Sequence, residues 1–342
     1  MKYIDLRSDT VTAPTDKMRE VMFKAVVGDD VYDDDPTMKE LEAFAAKLVN
    51  KEAAIFVPSG TFGNQLSLFT HCNRGDEVIL GEDCHIVMHE VGASSVIAGV
   101  QLRTLRSNKG ELNPENIKSK IRSGEDDIHF PSTGLICLEN AHSNGRVIPL
   151  SNMREIYTIA KENNIPVHLD GARLFNAASY LNIDVKELTR NCDSVMFCLS
   201  KGLCAPVGSI LAGTNDFIKK AKKKRKLMGG GLRQAGFLAA AGLVALKDMR
   251  ENLTNDHENA LFLGTELSKI PGIKVRQDDI HINMVFFSIK DTPLKSDVIV
   301  SALLEKGIKI NGEEDGEMRF VTNYWVKKED VMYVVKCLKD LL

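Results

Sequence analysis

Long apolar runs are missing from this 342-residue chain. No window approaches the roughly 18 unbroken hydrophobic residues of a membrane span, which excludes a helical membrane protein. An excess of charge is missing too: the formal net charge is -3, which argues against a dedicated nucleic-acid binder. Paired CxxC spacing does not occur, and the seven cysteines are scattered and odd in number. Free thiols in a reducing compartment, the cytoplasm, are therefore expected. The opening MKYIDLRSDTVTAP is too polar for a signal peptide. Internal repeats and low-complexity linkers are also absent.

What remains is an ordinary globular composition, 44% hydrophobic and 27% charged, in a chain longer than one core usually sustains. One large domain with a smaller satellite is expected. Short apolar runs suit buried strands: Ala53 to Val57, Glu77 to Leu80, Leu135 to Leu138, Pro166 to Leu169, Ser194 to Cys198 and Ser209 to Gly213. Helical spacing lies between them, as at Pro36 to Asn50 and Met153 to Asn163. Buried strands alternating with helices predict a parallel-dominated α/β sheet, with ligands outside the carboxyl ends of the strands. After Gly231 a long alanine-rich helix is expected from Arg233 to about Glu251, and a second near Asn255 to Lys269. The rest reads strand, strand, helix, strand, strand, helix, from Ile273 to Leu342.

Three strand ends carry polar chemistry. Ser59, Gly60 and Thr61 follow the first run, and small residues at a helix start offer N–H groups to an anion; taken alone, they read equally as a helix cap. Asp170 ends the fourth run, where Arg173 is available as a plain ion-pair partner. Lys201 follows the fifth, in SVMFCLSKGLCAPVGS, where a lysine can also reach solvent along the strand end. Together they place an anion cradle, a buried acid and an amine at one edge of one sheet. Pyridoxal phosphate, an aldehyde with a phosphate and a pyridine nitrogen, asks for that set. Such a lysine must be partly neutral to condense with an aldehyde, which apolar flanks favour.

IDLRSDTVTAPT, GDDVYDDDPT, EAAIFVPSGTFGNQ, HLDGARLFNA, FCLSKGLCAPVGS, GGGLRQAG and RFVTN occur in one order along nearly the whole chain. In this the sequence resembles the low-specificity L-threonine aldolases, pyridoxal-phosphate enzymes of the aspartate-aminotransferase-like fold (fold type I). The resemblance implies a mostly parallel seven-stranded sheet between helices in a large domain, residues 1–250, and a small α+β domain, residues 251–342. About the first 15 residues would pack with the small domain. It also implies cleavage of L-threonine and L-allo-threonine to glycine and acetaldehyde, in a homotetramer with active sites at dimer interfaces. Cleavage of bulkier β-hydroxy amino acids, racemisation or β-elimination is the rival reading on the same cofactor.

By the same resemblance Lys201 would bind the cofactor aldehyde, Asp170 the ring nitrogen and Arg173 the phenolic oxygen. Ser59, Gly60 and Thr61 would cradle the phosphate, with Arg233 reaching it from a neighbouring subunit. His85 would stack on the ring, and Ser8 and Arg319 would clamp the substrate carboxylate, a task that suits a bidentate arginine. His85 and His129 are the candidate bases for the β-hydroxyl, directly or through water. The sequence departs from the family pattern at Asn323, at Tyr32-Asp33 and at Ser132, leaving substrate preference and interface contacts open. The His85–His89 pair has helical metal spacing without a third ligand in view, so no metal is expected. The run KKAKKKRK at Lys219 to Lys226 lacks interleaved aromatics and is read as a solvated or subunit-facing helix rather than a nucleic-acid patch.

Overall fold

The computed structural model describes residues 3–122 and 128–342. Met1 and Lys2 of the opening motif, and Asp126 and Asp127 of the DDIHFPST segment, lie outside them. Twelve strands follow in chain order: β1 (Ile4–Asp5), β2 (Ala53–Val57), β3 (Glu77–Gly81), β4 (Gln101–Leu105), β5 (Thr133–Glu139), β6 (Val167–Asp170), β7 (Ser194–Cys198), β8 (Ser209–Gly213), β9 (Lys274–Val275), β10 (Met284–Ser288), β11 (Ile308–Lys309) and β12 (Met318–Val321). The large sheet has seven strands in the order β2-β8-β7-β6-β5-β3-β4. Only β8 runs against the others, antiparallel to β2 and β7. The remaining neighbours are parallel, so six carboxyl ends share one edge.

All six runs anticipated from hydrophobicity are strands of this sheet. The seventh, β4, was not foreseen, because QLRTL sits at the sheet's margin with only Leu105 buried. An edge strand has one neighbour and needs no continuous apolar run. Beside the sheet, the helix Pro36–Leu48 starts where Asp35 accepts from the Met38 amide at 2.9 Å and proline occupies the first turn. It buries Met38, Leu41, Ala45 and Ala46.

The alanine-rich helix begins later than the composition suggests, at Gly236, and leaves Arg233 outside. It continues through a π turn at Ala245–Met249 to a 3-10 turn at Arg250–Asn252, close to the expected end near Glu251, and the second helix, Leu253–Leu267, follows without a loop. Beyond this, β12, β10 and β9 form a three-stranded antiparallel sheet. It is packed by the helices Leu253–Leu267, Ser296–Glu305 and Lys328–Leu341 around a separate core that includes Phe287 and Phe320. The N-terminal segment belongs to that core. β1 pairs with β11, Leu6 is fully buried, and its carbonyl accepts from the Val321 amide at 2.9 Å.

All seven cysteines are free and buried. Among the described residues no helix is long and apolar enough to cross a membrane. The basic run lies on the helix Asn215–Leu227, and part of it is spent internally. Arg225 donates to the Phe56 carbonyl and to Asp30, both at 2.8 Å, and Lys224 donates to the Phe69 carbonyl.

Candidate active site

A cavity of about 510 Å³ opens at the shared edge of the large sheet, closed from the far side by β12 and the N-terminal segment. Its walls include Ser8, Ser59, Gly60, Thr61, His85, Asp170, Arg173, Lys201 and Arg319.

After β2 the chain turns at Ser59, whose hydroxyl accepts from the Phe62 amide at 3.1 Å and caps the twelve-residue helix Gly60–His71. This helix lies close on β7: a Cβ at Gly63 would stand 2.6 Å from the Met196 side chain. That closeness brings the free N–H groups of its first turn to the cavity wall. Gly60 is equally confined, with Cys198 Sγ 3.0 Å from where its Cβ would be.

Asp170 is buried at the end of β6. Its Oδ1 accepts from the Ala172 amide at 3.0 Å and its Oδ2 from Asn64 Nδ2 at 2.7 Å. The local ion pair with Arg173 that the spacing suggested does not form. Arg173 instead makes a bidentate pair with Asp9, Nε to Oδ2 at 2.8 Å and Nη2 to Oδ1 at 2.6 Å, with both side chains buried. Burial alone would raise the Asp9 pKa, but Arg173, together with Lys201 and Asn283, outweighs it and holds it at about 2.

Lys201 follows β7 in a tight turn whose geometry is held by its own carbonyl, which accepts from the Cys204 amide at 2.9 Å and from Thr12 Oγ1 at 2.8 Å. Among the described residues no carboxylate comes within ion-pair distance of its ammonium. The arrangement leaves an amine on the cavity wall that forms no ion pair among the described residues.

His85 begins a short helix after β3, its amide donating to Glu139 Oε2 at 2.8 Å. Nδ1 faces the buried Glu90 at 2.9 Å. That hydrogen bond raises the imidazole pKa against the opposing effect of burial. It also fixes the tautomer: Nδ1 carries the proton, and the Nε2 lone pair is left for a ligand. His85, Glu90 and Asp170 present ligand atoms within 4.8 Å of one another, the spacing of a metal site. The carboxylate oxygens are already occupied by amide donors from Asn64 and Gln65.

Arg319, on β12, donates to the Arg7 carbonyl at 3.3 Å and has no carboxylate partner among the described residues. Burial and the nearby Arg173 charge both lower its pKa, so an anion in the cavity would relieve it. Ser8 lies beside it, its hydroxyl accepting from Thr10.

Two expected residues are not brought to this cavity. Arg233 is exposed and bonds Asp29 at 2.9 Å. His129 is exposed in the turn that precedes β5 and does not line the cavity. Conversely, Asp9, Asn64, Glu90 and Glu139 are functional neighbours that the sequence reading does not single out, while His89, weighed there only as a metal ligand, lines the cavity. Asp9 sits next to Ser8 in the quoted RSDT motif, and Asn64 follows Gly60 by one helical turn; those adjacencies were the available signals.

The residues fit pyridoxal phosphate on observations made in this chain alone. A helix start supplies N–H donors, a buried and hydrogen-bonded acid is at hand, and an unpaired amine and an unpaired guanidinium share one cavity of sufficient size. Fold and site together define a pyridoxal-phosphate-dependent enzyme of the aspartate-aminotransferase-like fold.

Comparison with known proteins narrows the class. The sequence profile of the family described as "Beta-eliminating lyase" matches residues 5–290. "Low-specificity L-threonine aldolase 1" of Arabidopsis thaliana is 44% identical over 347 aligned residues, covering 100% of this chain and 97% of its own. "Low specificity L-threonine aldolase" of Escherichia coli K12 is 46% identical over 287, covering 84% of each chain. A solved threonine aldolase of Leishmania major superposes with a TM-score of 0.84 at 20% identity over 99% of both chains, which supports the fold. The chain belongs to the beta-eliminating lyase family and, within it, to the low-specificity L-threonine aldolases.

Proposed function

We propose that the protein cleaves L-threonine and L-allo-threonine to glycine and acetaldehyde, using pyridoxal phosphate. The observation that carries this reading is the convergence of the unpaired Lys201 amine, the buried Asp170 and the unpaired Arg319 on one cavity. When bound, the cofactor supplies an aldehyde for amines and a ring that accepts the electron pair released as the Cα–Cβ bond breaks.

In this reading Ser59, Gly60 and Thr61 hold the phosphate at the helix start. Asp170, held by Asn64 and the Ala172 amide, would bind the ring nitrogen and favour its protonated form. Lys201 would hold the cofactor through its aldehyde, the group that the substrate amine also needs. Arg319, with Ser8, would bind the substrate carboxylate, and Arg173, held by Asp9, would face the phenolic oxygen. His85 Nε2 takes the proton of the β-hydroxyl, while Glu90 holds the proton on Nδ1. Because Glu90 raises the His85 pKa, cleavage should climb with pH through a midpoint above the ordinary histidine value.

The reading includes a division into a large domain, residues 1–250, and a small one, residues 251–342. It also includes a cytoplasmic homotetramer with shared sites. Two features support sharing: Arg233 and Tyr32 are exposed on a single chain, and Val96 and Leu227, with Phe62 and Phe69 of the helix Gly60–His71, leave an apolar surface uncovered.

A coupled assay for acetaldehyde with L-threonine, L-allo-threonine and their D isomers tests the reaction. Aldehyde from the L isomers supports it. Ammonia or a keto acid without aldehyde would replace it with β-elimination, the activity for which the broader family is named.

A further inference from the structure

Behind the cavity lies a hydrogen-bonded chain that the mechanism above uses only at its end. Asn64 Nδ2 donates to two buried carboxylates at once, Asp170 Oδ2 at 2.7 Å and Glu90 Oε1 at 2.8 Å. Its Oδ1 lies 3.2 Å from His168 Nε2. An amide oxygen can only accept, so His168 carries its proton on Nε2. The other ring nitrogen, Nδ1, is 2.9 Å from Ser194 Oγ and must then accept the hydroxyl proton. Ser194 Oγ in turn lies 2.8 Å from His71 Nε2 and 3.2 Å from Ser67 Oγ, both of which are left to donate. Every link follows from the one before it. Donors therefore point in a single direction, from His71 through Ser194, His168 and Asn64 to the two carboxylates. Asn64, His168, Ser194, Glu90 and Asp170 are all buried, and burial keeps His168 uncharged, with its pKa lowered to about 3.

Two carboxylates this close in a dry interior repel one another unless donors are shared between them. Asn64 supplies such donors, and only one orientation of its amide does so, because a carboxylate can only accept. That orientation turns the amide oxygen to His168, whose Nε2 anchors it from behind. The same amide therefore bears on two separate operations: the placement of Asp170 at the cavity and, through Glu90, the tautomer of His85 on its wall.

We infer that Asn64 is a positioning residue that holds Asp170 and Glu90 side by side by donating to both, and that His168 is a second positioning residue that anchors the Asn64 amide through its oxygen. The inference rests on the reading that the cavity holds pyridoxal phosphate. Asn64 is part of the cavity wall and His168 lies behind it; both act through Asp170 and Glu90.

The test uses holoenzyme and reads two properties other than turnover: the cofactor retained per chain after prolonged dialysis, and the position of its visible absorption band. Asn64→Leu should lose cofactor at least tenfold faster than the parent protein and shift the band, because Asp170 would lose the side-chain donor that holds it in place. Asn64→Asp, nearly the same shape but without donors, should do the same, and it serves if the leucine variant does not fold. His168→Leu should shift the band in the same direction. His168→Gln, whose amide can stand in for the Nε2–H donor, should restore it, a rescue that loss of packing would not produce. Bands and retention unchanged in folded Asn64→Asp and His168→Leu would overturn the inference while leaving the function intact. A parent protein that binds no pyridoxal phosphate would overturn the reading on which it rests.

Discussion

Asp9→Asn removes one charge from a pair that the fold has fully enclosed. Arg173 meets Asp9 through two hydrogen bonds of 2.8 and 2.6 Å, with side-chain exposures of 9% and 0%. Deleting one partner of a buried pair leaves the other uncompensated and costs about 3–5 kcal/mol. The substitution is close to isosteric, so packing contributes little to that figure. Its pH dependence gives the sharper test. The native carboxyl has its pKa held at about 2, against an ordinary value of 3.8. A lowered pKa means that the unfolded chain takes up the proton first as pH falls. The stability due to the pair is therefore complete above about pH 4–5 and drains away between there and pH 2. At about 1.4 kcal/mol per pH unit the full loss is on the order of 2 kcal/mol, of which about 1 kcal/mol is gone by pH 3. Urea unfolding of the parent and Asp9→Asn proteins at pH 7, 4 and 3 should thus show a large gap at neutrality that narrows in acid. A gap that stays constant, or widens as pH falls, would refute the assignment of that stability to an ionised Asp9.

Asp256 should behave in the opposite sense. Burial raises its pKa to about 8, nearby Asp9 adds to the effect, and its Oδ2 has no hydrogen-bond partner. The cost of ionising it grows from about pH 4 upward, so Asp256→Asn should stabilise the protein at pH 8, by up to about 5 kcal/mol, and change little at pH 4. Thermal melts at the two pH values decide this, and equal effects at both would count against it. Lys201→Ala should abolish the cofactor adduct that borohydride fixes to the chain, read by mass spectrometry; an adduct surviving in the variant would move the attachment elsewhere. Arg319→Ala should raise KM for the amino acid, with a loss of about 2–5 kcal/mol in kcat/KM, and leave borohydride fixation intact; unchanged kinetics would remove it from carboxylate binding.

The strands that carry Ser59, Asp170 and Lys201 were legible in the sequence because each is buried and apolar, and their polar ends follow at once. β4 was not, because an edge strand with one buried residue leaves little trace in hydrophobicity. The start of the alanine-rich helix was misplaced for a related reason. Composition favoured a helix from Arg233, whereas that residue's carbonyl is taken by the Asp30 and Ala235 amides and its guanidinium by Asp29. Arg173 shows the limit most clearly. Three residues from Asp170 in sequence, it was offered a local partner, yet its actual partner lies 164 positions away. No spacing rule reports a contact of that kind. Asn64 and His168 fall inside quoted motifs, but their contact was not legible, since an asparagine in a helix and a histidine in a strand meet only when the helix is laid across the sheet.

The far wall of the cavity bears on the order in which the protein can be made. Ser8 and Asp9 leave the ribosome at the beginning of synthesis, but the strand that seats them, β11, and the arginine that works beside them, Arg319, come some 300 residues later. Until then the first segment has no sheet to join and Leu6 has no core to enter, and such distant pairings form slowly. A nascent chain can thus assemble the phosphate cradle, Asp170 and Lys201 well before it can clamp a carboxylate. Cofactor capture during translation is open to the incomplete enzyme, and turnover is not.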